Sequence, residues 1–406
     1  MDIVSASQQR LWNRSFILCV LNNLFLFIYY YALLTVLPVY IMKELGGSVK
    51  EAGLALTLFL ISSIAVRPFS GLIIQKLGKK RSFRGSELLF MLFAFSYLFA
   101  DSLWSLLLIR FIHGIWFSVL TTVTVPVAND FIPVHRKGEG MGYFVMSTNL
   151  AVVFGPLIAL SVIQFTDFQM LFALLTAIIC LGFIFCLMIP VQQNAADTDA
   201  ATSEKARVSD KTKLGIHDII EVRAIPIGVV ALLTAFAYSS IMSFIAAYAE
   251  SKHLLASISL FFIVFAVSMI VVRPWVGKIY DRKGASAVIY PSFVCFATGL
   301  VMVSMASGQW LLWLSAVFIG MGYGSLFPCF QTLAIQSAPK QRMGHAVSTF
   351  FTLFDSGMAI GSVLLGMVIA QYGFQKTYLL CAVIVMLTLY VYIRLITSRS
   401  SAVQFK

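Results

Sequence analysis

The segment Arg67-Pro68-Phe69-Ser70-Gly71 returns later in the chain as Arg273-Pro274-Trp275-Val276-Gly277, 206 residues further on. The same step of 206 residues carries six further positions onto identical residues: Gly78 onto Gly284, Gly114 onto Gly320, Pro133 onto Pro339, Arg136 onto Arg342, Gly138 onto Gly344 and Gly155 onto Gly361. A constant spacing over about ninety positions indicates two copies of one structural unit. In a hydrophobic chain, such a duplication is typical of transporters.

Most of the chain is apolar enough to lie in a lipid bilayer. Of its 406 residues, 60% are hydrophobic and 11% are charged, and the mean hydropathy is +0.91. A helix that crosses a bilayer needs about 20 apolar residues, each adding about 1.5 Å. Apolar blocks suited to this role occur at residues 16–42, 52–75, 85–101, 103–128, 140–163, 168–190, 224–248, 256–279, 287–306, 308–335, 343–371 and 375–396.

The sixth and seventh apolar blocks are separated by a segment of different character. Residues 192–208 are rich in Ala, Asp, Thr, Ser and Gln and show no apolar period, so they bury too little apolar surface to fold alone. We therefore expect an all-α integral membrane protein with twelve transmembrane helices in two six-helix, pseudo-symmetric bundles. The N-terminal bundle would comprise residues 1–190, a cytoplasmic linker residues 191–223, and the C-terminal bundle residues 224–406.

The positive charge of the chain is concentrated in alternate loops. The formal net charge is +12, and the loops that face the cytoplasm when both termini are cytoplasmic hold most of the Lys and Arg residues. The opposite loops hold Lys43, Lys50, Lys252 and Lys376. This asymmetry predicts a multi-pass protein of the cell membrane with cytoplasmic N and C termini. We therefore attribute the excess of Lys and Arg residues to the orientation of the protein in the membrane and to contact with anionic membrane lipid, and not to nucleic-acid binding.

Sequence motifs for other chemistries are missing. The six cysteines lie in apolar segments without a C-x-x-C pair, which indicates free thiols and neither a disulfide framework nor a metal site. The sequence contains no G-x-x-x-x-G-K-S/T, H-E-x-x-H or G-x-S-x-G motif. We therefore expect no cofactor, no ATP hydrolysis and no enzyme activity. A membrane sensor or membrane enzyme is a remote alternative.

The loop between the second and third apolar blocks carries a recognisable motif. The pattern Gly71-x-x-x-Gln75-Lys76-x-Gly78-Lys79-Lys80-Arg81 resembles the signature loop of the major facilitator superfamily, G-x-x-x-D-R/K-x-G-x-R/K-R/K. The second half repeats it as Gly277-x-x-x-Asp281-Arg282-x-Gly284. Arg110-x-x-x-Gly114 resembles a helix-four motif of that superfamily, and Gly155-Pro156 is similar to the helix-five motif of its drug:proton antiporters.

This resemblance implies a twelve-span transporter of the drug:proton antiporter branch. In the family, an acidic residue at the position of Gln75 latches the cytoplasmic gate. Gln75 can accept the same hydrogen bonds but supplies no charge, so we expect a weaker latch here. The helix-five motif also lacks its flanking glycines, which leaves both exchange and symport open. The candidate gating residues are Gly71, Gln75, Gly78, Lys79, Lys80, Arg81, Gly277, Asp281, Arg282 and Gly284.

Charged residues inside a membrane are costly and mark functional sites. Away from the predicted helix ends, the spans hold Arg67, Arg110, Arg273 and Asp355, with His113 as a further titratable side chain. We expect Asp355 to be the only acid near the middle of a span, and because desolvation favours the neutral form of a carboxyl group, it is a candidate proton carrier. The resemblance implies that Arg110 takes part in proton movement, and His113 lies on the same side of its helix. The alternatives are a permanent ion pair for Asp355 and a bracing role for Arg110.

In the superfamily, helices one, four, seven and ten line the substrate cavity. That resemblance makes Phe27, Tyr30, Tyr238 and Tyr323 candidate cavity residues, and the polar candidates Asn149, Arg67 and Arg273 complete the set. Asn149 is the repeat mate of Asp355. Arg67 and Arg273 each precede a proline, which frees one backbone carbonyl. These two arginines therefore either bond to such carbonyls or bind an anionic or zwitterionic substrate.

Together these features predict a secondary transporter. We expect it to move a small organic molecule across the cytoplasmic membrane by alternating access, as a monomer, with protons exchanged for exported substrate. The alternative is a proton symporter that takes up a metabolite. No short motif in the sequence identifies the substrate.

Overall fold

Helices make up most of the part of the chain that the structure describes. The computed structural model describes residues 10–47, 49–191, 219–254 and 257–397, and none of these residues lies in a β-strand. Their twelve long helices are α1 (Arg14–Lys43), α2 (Val49–Leu77), α3 (Lys79–Ser96), α4 (Leu103–Asp130), α5 (Lys137–Phe165), α6 (Phe168–Met188), α7 (Ile225–Ser251), α8 (Ile258–Lys283), α9 (Ser286–Ser304), α10 (Gln309–Gln336), α11 (Met343–Tyr372) and α12 (Phe374–Tyr392). The expected all-α architecture is confirmed.

The third helix departs from its predicted bounds. It begins at Lys79, whereas the apolar block was placed from residue 85. Its first turns hold Lys79, Lys80, Arg81 and Arg84, whose long side chains can reach water from a membrane edge while their backbone stays helical. The earlier start puts Glu87 near the middle of α3. The predicted block, which began at residue 85, had placed Glu87 near its end.

Polar side chains mark the starts of several helices. Asn13 accepts a hydrogen bond from the backbone amide of Phe16 at 2.9 Å before α1, and Asp167 accepts one from Met170 at 2.7 Å before α6. Ser102 and Ser105 form a reciprocal capping box at the start of α4. These side chains satisfy amide groups that the first helical turn leaves without a backbone partner.

Two glycines end α2 and α8 in the same way. Gly78 has φ 80° and Gly284 has φ 83°, a region that favours glycine because it carries no Cβ. The amide of Gly78 donates to the carbonyl of Ile74, and that of Gly284 to the carbonyl of Tyr280, both at 2.9 Å. Since the two sets are 206 residues apart, the sequence repeat extends to backbone conformation.

The helices suit a membrane in length and composition. Eleven of them are long and apolar enough to cross a bilayer, and α3, with its charged first turns, is the exception among the helices described. Trp104 and Trp310, which are repeat mates near the starts of α4 and α10, are 79% and 76% exposed. Exposed tryptophans at helix ends are typical of the interface between lipid and water. The protein is a multi-pass membrane protein.

The chain forms two compact units. Unit 1 comprises Met1–Pro133, Tyr143–Glu221 and Pro339–Ser348, and unit 2 comprises Val134–Gly142, Val222–Ala338 and Thr349–Lys406. Thus the first turns of α5 belong to unit 2, and those of α11 belong to unit 1. Residues 192–218 of the predicted linker lie outside the described residues, so the domain boundaries expected from the sequence remain predictions.

Each unit contains the same close approach between two helices. In unit 1, a Cβ on Gly114 of α4 would lie 2.4 Å from the carbonyl oxygen of Phe59 in α2. In unit 2, a Cβ on Gly320 of α10 would lie 2.6 Å from the carbonyl oxygen of Phe265 in α8. Phe59 and Phe265 are also 206 residues apart. Glycine is needed at both positions because any side chain would collide with the neighbouring backbone.

Candidate transport and gating sites

A buried arginine joins three elements of unit 1. Arg110 of α4 is 1% exposed, and its Nε donates to the carbonyl of Ala55 in α2 at 3.3 Å. Its Nη1 donates to the hydroxyl of Tyr97 at 3.4 Å, just after α3. The guanidinium carbon lies 4.1 Å from the ring centroid of Phe59, within the range of a cation–π interaction. The remaining nitrogen, Nη2, has no hydrogen-bond partner among the residues described.

His113 shares the same tyrosine hydroxyl. Its Nδ1 lies 3.2 Å from the hydroxyl of Tyr97, and its ring centroid lies 4.0 Å from that of Phe90 in α3. The ring of Tyr29 in α1 packs edge-on at 5.6 Å. Arg110, Tyr97 and His113 therefore form one buried polar cluster, which we call the Arg110 cluster. Sequence reasoning paired Arg110 with His113 through their spacing, but no motif marked Tyr97.

Phe27 and Tyr30, two predicted cavity residues, lie beside the Arg110 cluster in an aromatic layer. Tyr30 stacks on Phe117 with ring centroids 4.9 Å apart, and Phe27 packs against the same ring at 5.8 Å. Tyr30 also packs against Phe59, the ring that carries the Arg110 guanidinium, at 5.5 Å. Both residues are half-buried. The aromatic layer thus connects the α1 candidates to Arg110 through Phe59.

Glu87 is the polar residue that sequence reasoning missed in unit 1. It is 0% exposed, and its Oε1 accepts a hydrogen bond from Asn22 Nδ2 of α1 at 3.1 Å. The same Nδ2 donates to the carbonyl of Gly182 in α6 at 2.9 Å. Residues 79–96 form one continuous helix with Glu87 near its middle. The predicted apolar block left out the basic residues of the first turns, so Glu87 lay near the end of that block.

The two repeat-related arginines have different surroundings. Arg67 is 5% exposed, and its Nη1 donates to Thr121 Oγ1 of α4 at 2.7 Å. Arg273 is 3% exposed, and its Nε and Nη1 have no hydrogen-bond partner among the described residues. The repeat mate of Thr121 is Phe327, which offers no hydroxyl group. The sequence repeat predicted equivalent arginines. Their hydrogen bonding differs because the neighbouring helix has Thr121 in unit 1 and Phe327 in unit 2.

The predicted aromatic pair of unit 2 is in direct contact. Tyr238 of α7 and Tyr323 of α10 stack with centroids 3.5 Å apart and an interplanar angle of 10°. Both are buried, and the Tyr238 hydroxyl donates to Met242 Sδ at 3.1 Å. Tyr323 also lies within electrostatic range of the Arg273 guanidinium. The structure therefore brings the two tyrosine candidates of unit 2 into direct contact.

Asp355 and its repeat mate Asn149 lie inside α11 and α5. Asp355 is half-buried and stands twelve residues after Met343, the first residue of α11. Asn149 is half-buried, and its Nδ2 has no hydrogen-bond partner among the residues described. Both belong to helices rather than loops, as expected.

The signature loop of unit 2 holds the start of α5. The carboxylate of Asp281 accepts hydrogen bonds from the backbone amides of Gly138 at 2.8 Å and Glu139 at 3.0 Å. A Cβ on Gly277, one turn before Asp281, would lie 2.5 Å from the Cα of Glu139. A cavity of about 400 Å³ opens beside this contact, lined by His135, Arg136, Glu139, Lys278, Asp281 and Arg282. Gly277 permits the close approach, and Asp281 caps the helix.

The signature loop of unit 1 makes the matching approach to the start of α11. A Cβ on Gly71 would lie 2.7 Å from the Cα of His345, and His345 is the repeat mate of Glu139. Lys79 pairs with Asp130 at the end of α4 through a 2.7 Å contact. Lys80 is half-buried and Arg81 is exposed. Gly71 therefore has the same role as Gly277, with Gln75 in the place of Asp281.

The helix-five motif is a packing contact within unit 1. A Cβ on Gly155 would lie 2.9 Å from the backbone nitrogen of Ala32 and 3.0 Å from the carbonyl oxygen of Ile28 in α1. Pro156 follows within α5. The glycine lets α5 approach α1 at backbone distance.

These features define a class of protein. The chain is a multi-pass membrane protein built from a duplicated helical unit, and charged side chains are held inside its apolar helices. Charges in that position are characteristic of membrane transport proteins, because their cost is tolerated where solutes or protons pass.

The chain belongs to the Major Facilitator Superfamily, whose sequence model matches residues 19–362. It is 22% identical over 364 residues to "Multidrug resistance protein MdtG" of Enterobacter lignolyticus (strain SCF1), covering 86% of this chain and 84% of that protein. Its fold is similar to a crystal structure of the human organic anion transporter MFSD10 (TETRAN), with TM-score 0.76, 14% identity and coverage of 93% and 98%. It is also similar to the proton:xylose symporter XylE, with TM-score 0.73, 12% identity and coverage of 93% and 94%. The protein is a transporter of small molecules, and its relatives are transporters and not enzymes.

Proposed function

We propose that this protein exports a small organic molecule across the cytoplasmic membrane in exchange for protons, by alternating access. The observation that carries the proposal is the Arg110 cluster, in which an arginine and a titratable histidine share one buried tyrosine hydroxyl. Buried polar groups of this kind are costly unless each donor meets an acceptor. A change in protonation therefore changes which hydrogen bonds the cluster can make.

The chemistry of the Arg110 cluster follows from its donors and acceptors. The Tyr97 oxygen accepts from Arg110, so its own hydrogen is available to a neutral His113 whose Nδ1 accepts. A protonated His113 has only donors, and it places a second positive charge beside the guanidinium. Protonation thus reverses one hydrogen bond and weakens the hold on Arg110. Asp355 is the proposed acid of unit 2 that binds and releases a proton during the cycle.

The substrate is proposed to carry a negatively charged or zwitterionic group. A buried guanidinium needs an acceptor, and Arg273 offers two donors without a partner among the described residues. The stacked pair Tyr238 and Tyr323 supplies flat apolar surface close by. In unit 1, Phe27 and Tyr30 offer similar surface, while Asn149 offers an amide donor that has no partner among the described residues. We infer that these residues bind the substrate, with Arg67 as a structural arginine.

The two signature loops are proposed to act as a gate. Gly71 lets the signature loop of unit 1 approach the start of α11, and Gly277 lets that of unit 2 approach the start of α5. In unit 2, the carboxylate of Asp281 adds charged hydrogen bonds. Gln75 supplies no charge at the equivalent place, so the unit 1 contact is the weaker half of the gate. Gly78, Lys79, Lys80, Arg81, Arg282 and Gly284 shape and anchor these loops.

The comparisons support a transport function but leave the direction of transport open. One relative is named a multidrug resistance protein, and one protein of similar fold is a proton:xylose symporter. We infer that the protein works as a monomer in the cytoplasmic membrane, surrounded by membrane lipid, with both termini in the cytoplasm. The symport alternative predicts the opposite movement of substrate under the same proton gradient.

Transport in everted membrane vesicles tests this function. With an imposed gradient, acid inside, vesicles that contain the protein should accumulate the anionic probe fluorescein, and vesicles without it should not. Collapse of the gradient by a protonophore should release the probe. Accumulation that is equal with and without the gradient would contradict proton coupling. Uptake only with the acid outside would favour the symporter.

A further inference from the structure

A carboxyl group is enclosed in unit 1 by α1, α3 and α6. Glu87 is 0% exposed and lies eight residues after Lys79, or about 12 Å along the helix. Its only hydrogen bond among the described residues joins Oε1 to Asn22 Nδ2 at 3.1 Å. None of the ion pairs found in the described part of the chain includes Glu87.

Hydrogen-bond acceptors around Glu87 outnumber the donors among the described residues. Asn22 Nδ2 donates to both Glu87 Oε1 and the carbonyl of Gly182, and the second contact fixes the orientation of the amide because a carbonyl can only accept. Within the described residues, two buried acceptors then have no partner, namely Glu87 Oε2 and Asn22 Oδ1. One proton on Glu87 would remove its charge and supply the missing donor.

The charged and titratable groups around Glu87 form no ion pair with it in the described part of the chain. From α1 and α6, the titratable groups near this site are the thiols of Cys19 and Cys186, which are neutral when protonated. On α3 itself, Arg84 lies one turn earlier and directs its Nη2 to the carbonyl of Leu187 at 3.0 Å. On α4, His113 contacts Phe90, and Asp130 is paired with Lys79.

We propose that Glu87 is a proton-binding site, protonated in the conformation described here and deprotonated when α1, α3 and α6 separate enough to admit water. The proton passes from the carboxylic acid to water, which leaves a carboxylate and a hydronium ion. Asn22 selects the neutral acid, because its amide offers both a donor and an acceptor to a carboxylic acid. Coupling of this proton to substrate rests on the proposed function, whereas the binding of the proton does not.

Difference infrared spectroscopy of the purified full-length protein tests the proton site directly. The carboxylic-acid C=O band of Glu87 should appear in wild type, disappear in Glu87→Gln and return at a shifted position in Glu87→Asp. Asp355→Asn serves as the control and should keep the band. If wild type and a folded Glu87→Gln protein show identical carboxylic-acid bands, Glu87 is ionised and the proposal is overturned. The Glu87→Asp protein keeps the test available if Glu87→Gln fails to fold.

Vesicle transport separates the proton site from the wider function. Glu87→Gln should lose pH-driven accumulation of the probe and keep its downhill exchange. Unchanged pH-driven accumulation by Glu87→Gln would overturn a coupling role for this residue. If wild type shows a Glu87 band but no pH-driven transport, the proton site is retained and the proposed antiport is rejected.

Discussion

The carboxylate of Asp281 accepts a hydrogen bond from the backbone amide of Gly138 at 2.8 Å, at the first turn of α5. A second bond, from Glu139 at 3.0 Å, completes the cap. The repeat mate of Asp281 is Gln75, and those of Gly138 and Glu139 are Gly344 and His345. At this equivalent sequence position, unit 2 has an acid and unit 1 has an amide. This difference permits an internal comparison of charge at a helix start.

Asp281→Asn should destabilise unit 2, and Gln75→Asp should stabilise unit 1. The physical reason is the attraction between an anion and a helix N-terminus, worth about 0.3–1 kcal/mol and up to about 2 kcal/mol when partly buried. Thermal unfolding of the purified protein in detergent measures both effects. A shift of the two midpoints in the same direction would contradict the helix-cap explanation.

Tyr97→Phe should impair pH-driven transport more than it impairs stability. The change removes the hydroxyl shared by Arg110 and His113, at a cost of about 0.5–1.5 kcal/mol in unfolding free energy. Tyr378→Phe is a matched control, since Tyr378 is equally buried and donates to the carbonyl of Ser240 at 3.2 Å in unit 2. The control should lose similar stability but keep transport. Equal transport by the two variants would argue that the Arg110 cluster only braces helices.

Asp355→Asn should abolish accumulation driven by a pH gradient and leave probe binding intact. The substitution keeps the shape of the side chain and removes its proton. Binding of the fluorescent probe to purified protein and accumulation in vesicles measure the two properties separately. A variant that still concentrates the probe when driven by pH would exclude Asp355 as an obligatory proton carrier.

Arg273→Gln should change substrate preference, whereas Arg67→Gln should mainly lower stability. Arg67 already donates to Thr121 at 2.7 Å, and loss of a hydrogen bond to a charged group costs about 1.5–3 kcal/mol. Arg273 has unpartnered donors among the described residues, so its proposed acceptor is the substrate. Uptake of the anion fluorescein into vesicles should be lost in Arg273→Gln and kept in Arg67→Gln. Equal retention of fluorescein by the two variants would contradict the anion-binding role.

Single cysteines introduced at positions 197, 210 and 400 of a cysteine-free variant should be protected from impermeant reagents added to intact cells. The reason is the concentration of Lys and Arg in the loops assigned to the cytoplasm. Labelling after cell lysis provides the control for reactivity. Labelling of any of the three positions in intact cells would reverse or revise the proposed topology.

The sequence by itself determined the helices and their duplication. Long apolar blocks leave few alternatives to helix in a bilayer, since every backbone amide and carbonyl must be satisfied within the segment. The 206-residue step from Arg67 to Arg273 also identified Gly114 and Gly320 as repeat mates, and the structure shows a close backbone approach at both. These properties depend on local composition and on single residues.

The environment of each buried polar group was decided only by the tertiary structure. Arg67 and Arg273 occupy equivalent sequence positions, and their difference arises from Thr121 and Phe327 on neighbouring helices. The hydrogen-bond partner of Glu87 is Asn22, which is 65 residues distant in the chain. Hydrogen bonds act over about 3 Å, so they depend on which helices are adjacent and how each is rotated. A sequence pattern identifies the polar residues of a membrane helix, but packing determines their partners.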